Sequence, residues 1–397
     1  MTNQAYTSIL TESQLNDYCQ QILANSAITW IAIDTEFVRV DTYFPELSLV
    51  QIQDSLGHAA IIDPIAIQNS SDSHQPLNAL VKLLADPTVV KVFHSARQDI
   101  EVLYLLQKEM PAAIFDTQIA SIFRKHGDIA GFARVIEQEL HTSLDKSQTR
   151  TNWHNRPLTE KQIEYALDDV RYLAPLYEKY LSELSKDELL AVQEDSQALL
   201  NESLYNTDPA TAGDKVKGTK GLKPKGLAIV NALAQWREEF AIEHNRPKRW
   251  VMSDEVIVHI AKRPPQTVQA LYKVPNIKAS SVKGYGEQWI ELIDGVFASN
   301  PESYPSLTPK IAKETPQEEI IMHFANAYIH QVACDYKMTP SHLISKSELL
   351  TLIRNPGELK LTGWRQQLIG QPLKQLFSAE AQLRLQNQRI VLQDVVS

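Results

Sequence analysis

The sequence predicts an α/β domain, a mixed sheet flanked by helices, followed by a mostly helical remainder. Three observations carry that prediction. Residues 27–63 hold three strand-like runs in close succession, and helical and strand-like runs alternate after them. Beyond a stretch rich in Gly and Lys, the apolar residues fall at three- and four-residue spacing.

Taken in order, TWIAIDTEF is a buried β-rich run, LSLVQIQ alternates apolar and polar positions, and HAAIIDP is an apolar run stopped by proline. NALVKLLAD has helical spacing, TVVKVFHS returns to strand, and IEVLYLLQ is helical. AAIFDTQ starts as a short strand and IASIFRKH continues as a helix. A polar stretch, HTSLDKSQTRTNWHNRP, interrupts the helices. Thr159 and Glu160 then open a long helix through about Leu184, in which Pro175 predicts a kink or break. Asn206 to Lys225 reads as a linker, which ends the first domain near residue 210. LAIVNALAQWREEFAIEHN is helical up to a turn with Pro247, and Ser253 is placed to cap the next helix. SNPESYPSLTPK separates a last block, about 314 to 397, read as helical. Within it KSELLTLIR echoes MSDEVIVHIAK, which hints at two copies of one small module. The expected domains are 1–210, 211–300 and 301–397.

At 397 residues the chain has room for roughly two or three domains, and 43% apolar with 22% charged residues suits soluble globular protein. The N-terminal MTNQAYTSILTESQLNDY lacks a signal-peptide pattern, and no apolar run nears the ~18 residues that span a bilayer. Cys19 and Cys334 are the two cysteines, too few for a disulfide framework or a cysteine zinc site, so a cytosolic, reduced setting is expected. The net charge of −9 excludes a surface coated in basic residues but not nucleic acid, because local placement decides binding. Lys215, Lys217, Lys220, Lys223 and Lys225 cluster, and Arg246, Lys248 and Arg249 lie beside Trp250.

The chemistry concentrates in the first domain. Asp34 and Glu36 are two apart on a predicted strand and share a face. Tyr165 and Asp169 are four apart on a predicted helix and are neighbours there. Asp99 opens a helix after a strand that should run parallel to the first. Each fragment alone is common on protein surfaces, and Asp168 beside Asp169 falls on the next helical face. Gathered together, four carboxylates would repel one another unless cations held them. Two divalent cations, Mg²⁺ or Mn²⁺, suit all-oxygen ligation and could stabilise the attacking and leaving oxygens of a phosphodiester. Tyr165 is a poor base at its ordinary pKa, but its hydroxyl can hold a water.

The segments IDTEF, FHSARQDIEVL, FDTQIA, LDKSQTRTNW and RPLTEKQIEYALDDVRYL, spread over the first 185 residues, resemble the ribonuclease D family of the DEDD exonuclease superfamily, in its tyrosine branch. The resemblance implies a ribonuclease-H-like fold and 3′→5′ trimming of RNA, above all of transfer RNA precursors, with release of 5′-mononucleotides. It implies that Asp34, Glu36, Asp99 and Asp169 bind metal and that Tyr165 positions water. It also implies a monomer. LAQWREEFAIEHNRPKRWVMSDEVIVHIAKRPPQTVQALYKVPNI resembles the all-α HRDC domain, with Asn276 where that family often has glycine, and the last segment resembles a second, divergent copy. Lys146, Arg150 and Trp153 are candidate RNA contacts, His94 a structural hydrogen-bond partner, and Trp236 a core residue. A DNA 3′→5′ exonuclease and a non-catalytic RNA-binding scaffold are the competing readings.

Overall fold

The computed structural model describes residues 5–124, 130–305, 313–355, 357 and 361–395. Met1–Glu36, Leu47–Asn201 and Ala312–Ser397 make one compact unit, and Phe37–Glu46 with Glu202–Ile311 make another.

The first unit is built on a sheet of order β1 (Tyr6–Ile9), β4 (Ala59–Ile62), β3 (Glu46–Asp54), β2 (Trp30–Val38), β5 (Val90–Phe93) and β6 (Ile114–Asp116). β1 and β4 are parallel, β3 and β4 antiparallel, and β5 is parallel to both β2 and β6, so the sheet is mixed as expected. β1 escaped the sequence reading because only Ile9 of its four residues is buried, which leaves no alternation to see. The associated helices are α1 (Glu12–Ala24), α2 (Pro64–Ser70), α3 (Asn78–Ala85), α4 (Arg97–Tyr104), α5 (Thr117–Ser121), α6 (Phe132–Leu140), α7 (Glu160–Glu183) and α8 (Lys186–Ala198).

α7 decides where the functional groups meet. A capping box opens it: the Thr159 side chain accepts from the Gln162 amide, and the Gln162 side chain accepts from the Thr159 amide. Pro175 does not break it: the helix runs through the proline from Glu160 to Glu183. Ala166, Val170, Leu173, Leu176, Tyr177 and Tyr180 form a buried stripe on both sides of the proline, and that burial holds the two halves in one helix. Tyr177 meets Trp30 of β2 edge-on, with centroids 5.3 Å apart, and Phe115 of β6 at 4.9 Å.

In the second unit α9 (Pro224–Glu243), α10 (Lys248–Val251), α11 (Asp254–Lys262), α12 (Val268–Leu271) and α13 (Ala279–Ala298) surround a core that includes Leu233, Ile257, Leu271 and Trp289. The stretch expected to be a linker is a packed part of this unit. Ala212, Val216 and Leu222 are buried in the same core, and the Lys217 amide donates to Asp254 Oδ2 at 3.1 Å. Gly213 permits the close approach: a Cβ there would lie 2.9 Å from Asn231 Cα. The lysine side chains of the stretch face solvent while its apolar residues are buried, so composition disguised a folded segment. Ser253 caps α11 as expected, and Asn276 adopts φ +60°, the left-handed turn for which glycine and asparagine are suited. The segment Phe37–Glu46 is stapled within this unit: the Tyr43 and Phe44 amides both donate to Asn245 Oδ1 at 3.0 Å.

The last segment contains α14 (Pro316–Asp335), α15 (Lys346–Arg354), α16 (Gly363–Arg365) and α17 (Gln371–Phe377), and its core is continuous with that of the first unit. Phe123 and Trp364 meet at 5.5 Å, the Trp364 amide donates to Glu194 at 2.9 Å, and Arg365 pairs with Asp195 at 2.8 Å. The segment was expected to stay helical to its end. Instead β7 (Ala381–Gln386) and β8 (Arg389–Asp394) form an antiparallel hairpin. Its turn residues Asn387 and Gln388 have φ of 49° and 62°, as a tight two-residue turn requires, but without the glycine that would have announced one. Among the described residues no helix is long and apolar enough to cross a membrane, and Cys19 and Cys334 are both free.

Replacing Thr159 by Ala removes the cap of α7. We expect a loss of about 1 kcal/mol in stability, measured by thermal or denaturant unfolding. An unchanged transition would show that the cap does not secure this helix.

Candidate active site

The register that packs α7 on β2 also assembles the acids. Tyr177 touches Trp30, and eight residues toward the helix N-terminus lies Asp169, about 12 Å away at the rise of an α-helix. Four residues along β2 from Trp30 lies Asp34, about 13 Å away at the rise of a strand. The two distances match, so an antiparallel course brings Asp169 to Asp34, and Glu36 follows on the same face. Ligand oxygens of Asp34, Glu36 and Asp169 all lie within 4.8 Å of one another. Tyr165, one turn before Asp169, is half-buried.

Asp99 stands outside this trio of ligand atoms but adjoins it. It is buried, 8% exposed, and its Oδ1 accepts a 2.5 Å hydrogen bond from the Thr35 hydroxyl. The turn before α4 is held from the neighbouring strand end. Asp116 Oδ1 accepts from the Ser95 and Gln118 amides at 2.9 and 2.8 Å, and Oδ2 accepts from the Ala96 amide at 2.8 Å. Ser95 has φ +64°, a costly conformation outside glycine, so the Asp116 carboxylate offsets strain just upstream of Asp99. Neither Thr35 nor Asp116 was singled out from sequence. The clues were present: a hydroxyl between two acids, and an Asp at a strand end where a helix starts.

A family of 3′-5′ exonuclease domains matches residues 6–185, and the HRDC domain family matches residues 226–293. Ribonuclease D of Pseudomonas paraeruginosa is 31% identical over 351 residues, which cover 87% of this chain and 91% of that protein. The chain belongs to the ribonuclease D family. Ribonuclease D of Bartonella henselae is 32% identical over 368 residues, covering 91% of this chain and 88% of its own. The crystal structure of Escherichia coli RNase D, an exoribonuclease involved in structured RNA processing, superposes with a TM-score of 0.81 at 28% identity, over 95% of this chain and 99% of that one. As a member of that family, the protein is a 3′→5′ exoribonuclease.

The charge state of the site calls for cations. Burial above all, then repulsion from Asp169, Asp99 and Glu36, pushes Asp34 well above the usual carboxylate range. Burial and the neighbouring aspartates push Glu36 up to about 9. Burial likewise takes Asp99 to about 7, against the opposing Thr35 hydrogen bond, and Asp169 to about 7 with help from Asp168 and Asp99. No lysine or arginine figures among the leading causes. An all-oxygen donor set without a cationic side chain fits a hard divalent ion, the cofactor type this exonuclease family uses. Burial also raises Tyr165 to about 12, so its hydroxyl stays protonated at neutral pH.

The loop before α7 is folded against the site. Thr149 Oγ1 lies 3.5 Å from the Tyr165 hydroxyl, and Gln162 Nε2 donates to Thr151 Oγ1 at 3.1 Å. The Arg156 guanidinium donates to both Asp63 oxygens at 2.6 and 2.9 Å and to the Ser48 and Trp153 carbonyls at 2.7 Å. Lys146 and Arg150 are exposed here. Trp153, expected as a candidate RNA contact, is 3% exposed and packs 6.0 Å from the Tyr165 ring, so the loop spends it as an anchor. His94 is structural, with its ring nitrogens 3.0 Å from Thr117 Oγ1 and 3.2 Å from the Ala130 carbonyl. Trp236 is a partly buried member of the helical core.

A pH dependence follows. Unfolded carboxylates titrate near pH 4, whereas folded Asp99 and Asp169 titrate at about 7 and Glu36 at about 9. Between those limits the folded, metal-free protein binds more protons than the unfolded chain, so its stability falls as pH rises. Divalent cations compete with those protons. Melting temperature in EDTA should drop from about pH 5 to about pH 9, and the increment gained from Mg²⁺ should grow over that window. An increment independent of pH would contradict this charge balance.

Proposed function

We propose that this ribonuclease trims the 3′ ends of structured RNA, transfer RNA precursors foremost, and releases 5′-mononucleotides with two bound Mg²⁺ or Mn²⁺ ions. The observation that carries the reading is the meeting of Asp34, Glu36 and Asp169 oxygens within 4.8 Å, with Tyr165 one turn away. Asp34, Glu36 and Asp169 would hold the ions together, with Asp99 beside them as a fourth acid. When bound, the pair supplies charge stabilisation for the attacking and departing oxygens of the scissile phosphodiester. Tyr165 orients the incoming water through its hydroxyl, which burial keeps protonated. Lys146 and Arg150 are exposed on the loop that precedes α7 and suit contacts with the RNA backbone.

The substrate class rests on the relatives, of which the Escherichia coli enzyme acts in structured RNA processing. We divide the chain into an exonuclease domain 1–210, an HRDC domain 211–300 and a second, divergent HRDC-like domain 301–397. In support, α9 and α14 are each 20 residues long, and the nine-residue helices α11 and α15 that lie downstream of them are each capped by serine. The protein is taken to act as a monomer in the cytoplasm, where its free cysteines are at home.

End-labelled transfer RNA precursor carrying a 3′ extension should shorten one nucleotide at a time only when Mg²⁺ or Mn²⁺ is present. A single-stranded DNA oligonucleotide should be degraded more slowly, and a preference for DNA would overturn the substrate assignment. Asp34→Asn should lower turnover by on the order of 10³-fold or more with an unchanged circular dichroism spectrum. RNA binding without mononucleotide release in the wild-type protein would point to a scaffold instead.

A further inference from the structure

We infer that Thr35 is a positioning residue for the reaction, acting through the carboxylate of Asp99. The inference rests on the reading that Asp99 is one of the working acids. Thr35 sits between Asp34 and Glu36 on β2, so strand alternation turns its side chain away from the face those two acids share. It is nonetheless buried, 6% exposed, and its hydroxyl donates to Asp99 Oδ1 at 2.5 Å. The contact spans 64 residues of sequence and ties the strand of the first two acids to the helix of the third.

The chemistry of a hydroxyl makes the contact directional. Thr35 has a single proton to give, and Asp99 Oδ1 takes it. That bond restrains the rotation of the carboxyl group, alongside hydrogen bonds from the backbone of Thr35 and of Asp99 itself. A hydrogen bond from a neutral donor to a carboxylate is also among the stronger ones a side chain can make, and here it is shielded from water. Asp99 cannot gain the same restraint from the trio, because its oxygens lie outside the 4.8 Å grouping of Asp34, Glu36 and Asp169. Asp116 fixes where α4 begins, and its carboxylate does so through the backbone amides of Ser95, Ala96 and Gln118 rather than through the Asp99 side chain. The Thr35 hydroxyl adds a buried side-chain bond from the neighbouring strand to those backbone restraints.

The test measures turnover of the 3′-extended transfer RNA precursor against Mg²⁺ concentration for Thr35→Val, Thr35→Ser and Asp99→Asn, with melting curves alongside. Valine keeps the shape of threonine and removes the hydroxyl, whereas serine keeps the hydroxyl. Thr35→Val is expected to need about tenfold more Mg²⁺ for half-maximal rate while melting close to wild type. Thr35→Ser is expected to stay within about twofold of wild type, and Asp99→Asn to be inactive. If Asp99→Asn is inactive while Thr35→Val matches wild type at every Mg²⁺ concentration, the positioning role is wrong and the site reading stands. A Thr35→Ser as impaired as Thr35→Val, or a Thr35→Val deficit that tracks lost stability and ignores Mg²⁺, also overturns it. An active Asp99→Asn removes the underlying reading and this inference together.

Discussion

Carboxylates with oxygens less than 5 Å apart are the feature around which this fold is organised. Unit charges about 5 Å apart repel by roughly 3 kcal/mol at an effective dielectric near 20, and each added acid compounds the effect. In this site the repulsion is met by no lysine or arginine among the leading influences on Asp34, Glu36, Asp99 or Asp169. The packing between α7 and β2 therefore has to hold in place groups that would otherwise move apart. The edge-on contact of Tyr177 with Trp30 and the capped start of α7 secure the two elements at opposite ends of the cluster. Apolar burial far from the chemistry thus maintains an electrostatic arrangement that only cations relieve.

Around that centre the molecule adds restraints of decreasing reach. The Asp116 carboxylate sets the start of α4, and the Thr35 hydroxyl sets the Asp99 side chain. Arg156 ties the preceding loop to Asp63 and Ser48, and Trp153 wedges it under Tyr165. The last segment extends the core of the first unit through Trp364 and Arg365. Ribonuclease D chemistry needs positioned oxygens more than it needs reactive side chains, and the burial of supporting residues reflects that demand.

Much of this was legible in the chain. Asp34 and Glu36 could be placed on one face because strand periodicity is rigid, and Tyr165 with Asp169 because helix periodicity is. Long apolar patterns also announced β2, α7 and α9 correctly. What escaped was information carried by tertiary contact. β1 has one buried residue and draws its order from pairing with β4. The segment around Lys217 looks like a tether in composition, yet three apolar residues and Gly213 fold it onto α9. The hairpin β7–β8 lacks a glycine at its turn, and Pro175 sits in a helix whose buried stripe overrides it. Trp153 shows the limit of reading an aromatic in a polar loop: sequence cannot say which way the ring turns.

Anomalous diffraction from crystals of the protein soaked in Mn²⁺ addresses the central claim most directly. Density at the meeting point of Asp34, Glu36 and Asp169, with a second peak beside Asp99, is the predicted outcome. Well-ordered side chains at all four positions with no anomalous peak among them, at saturating Mn²⁺ and alkaline pH, would contradict it.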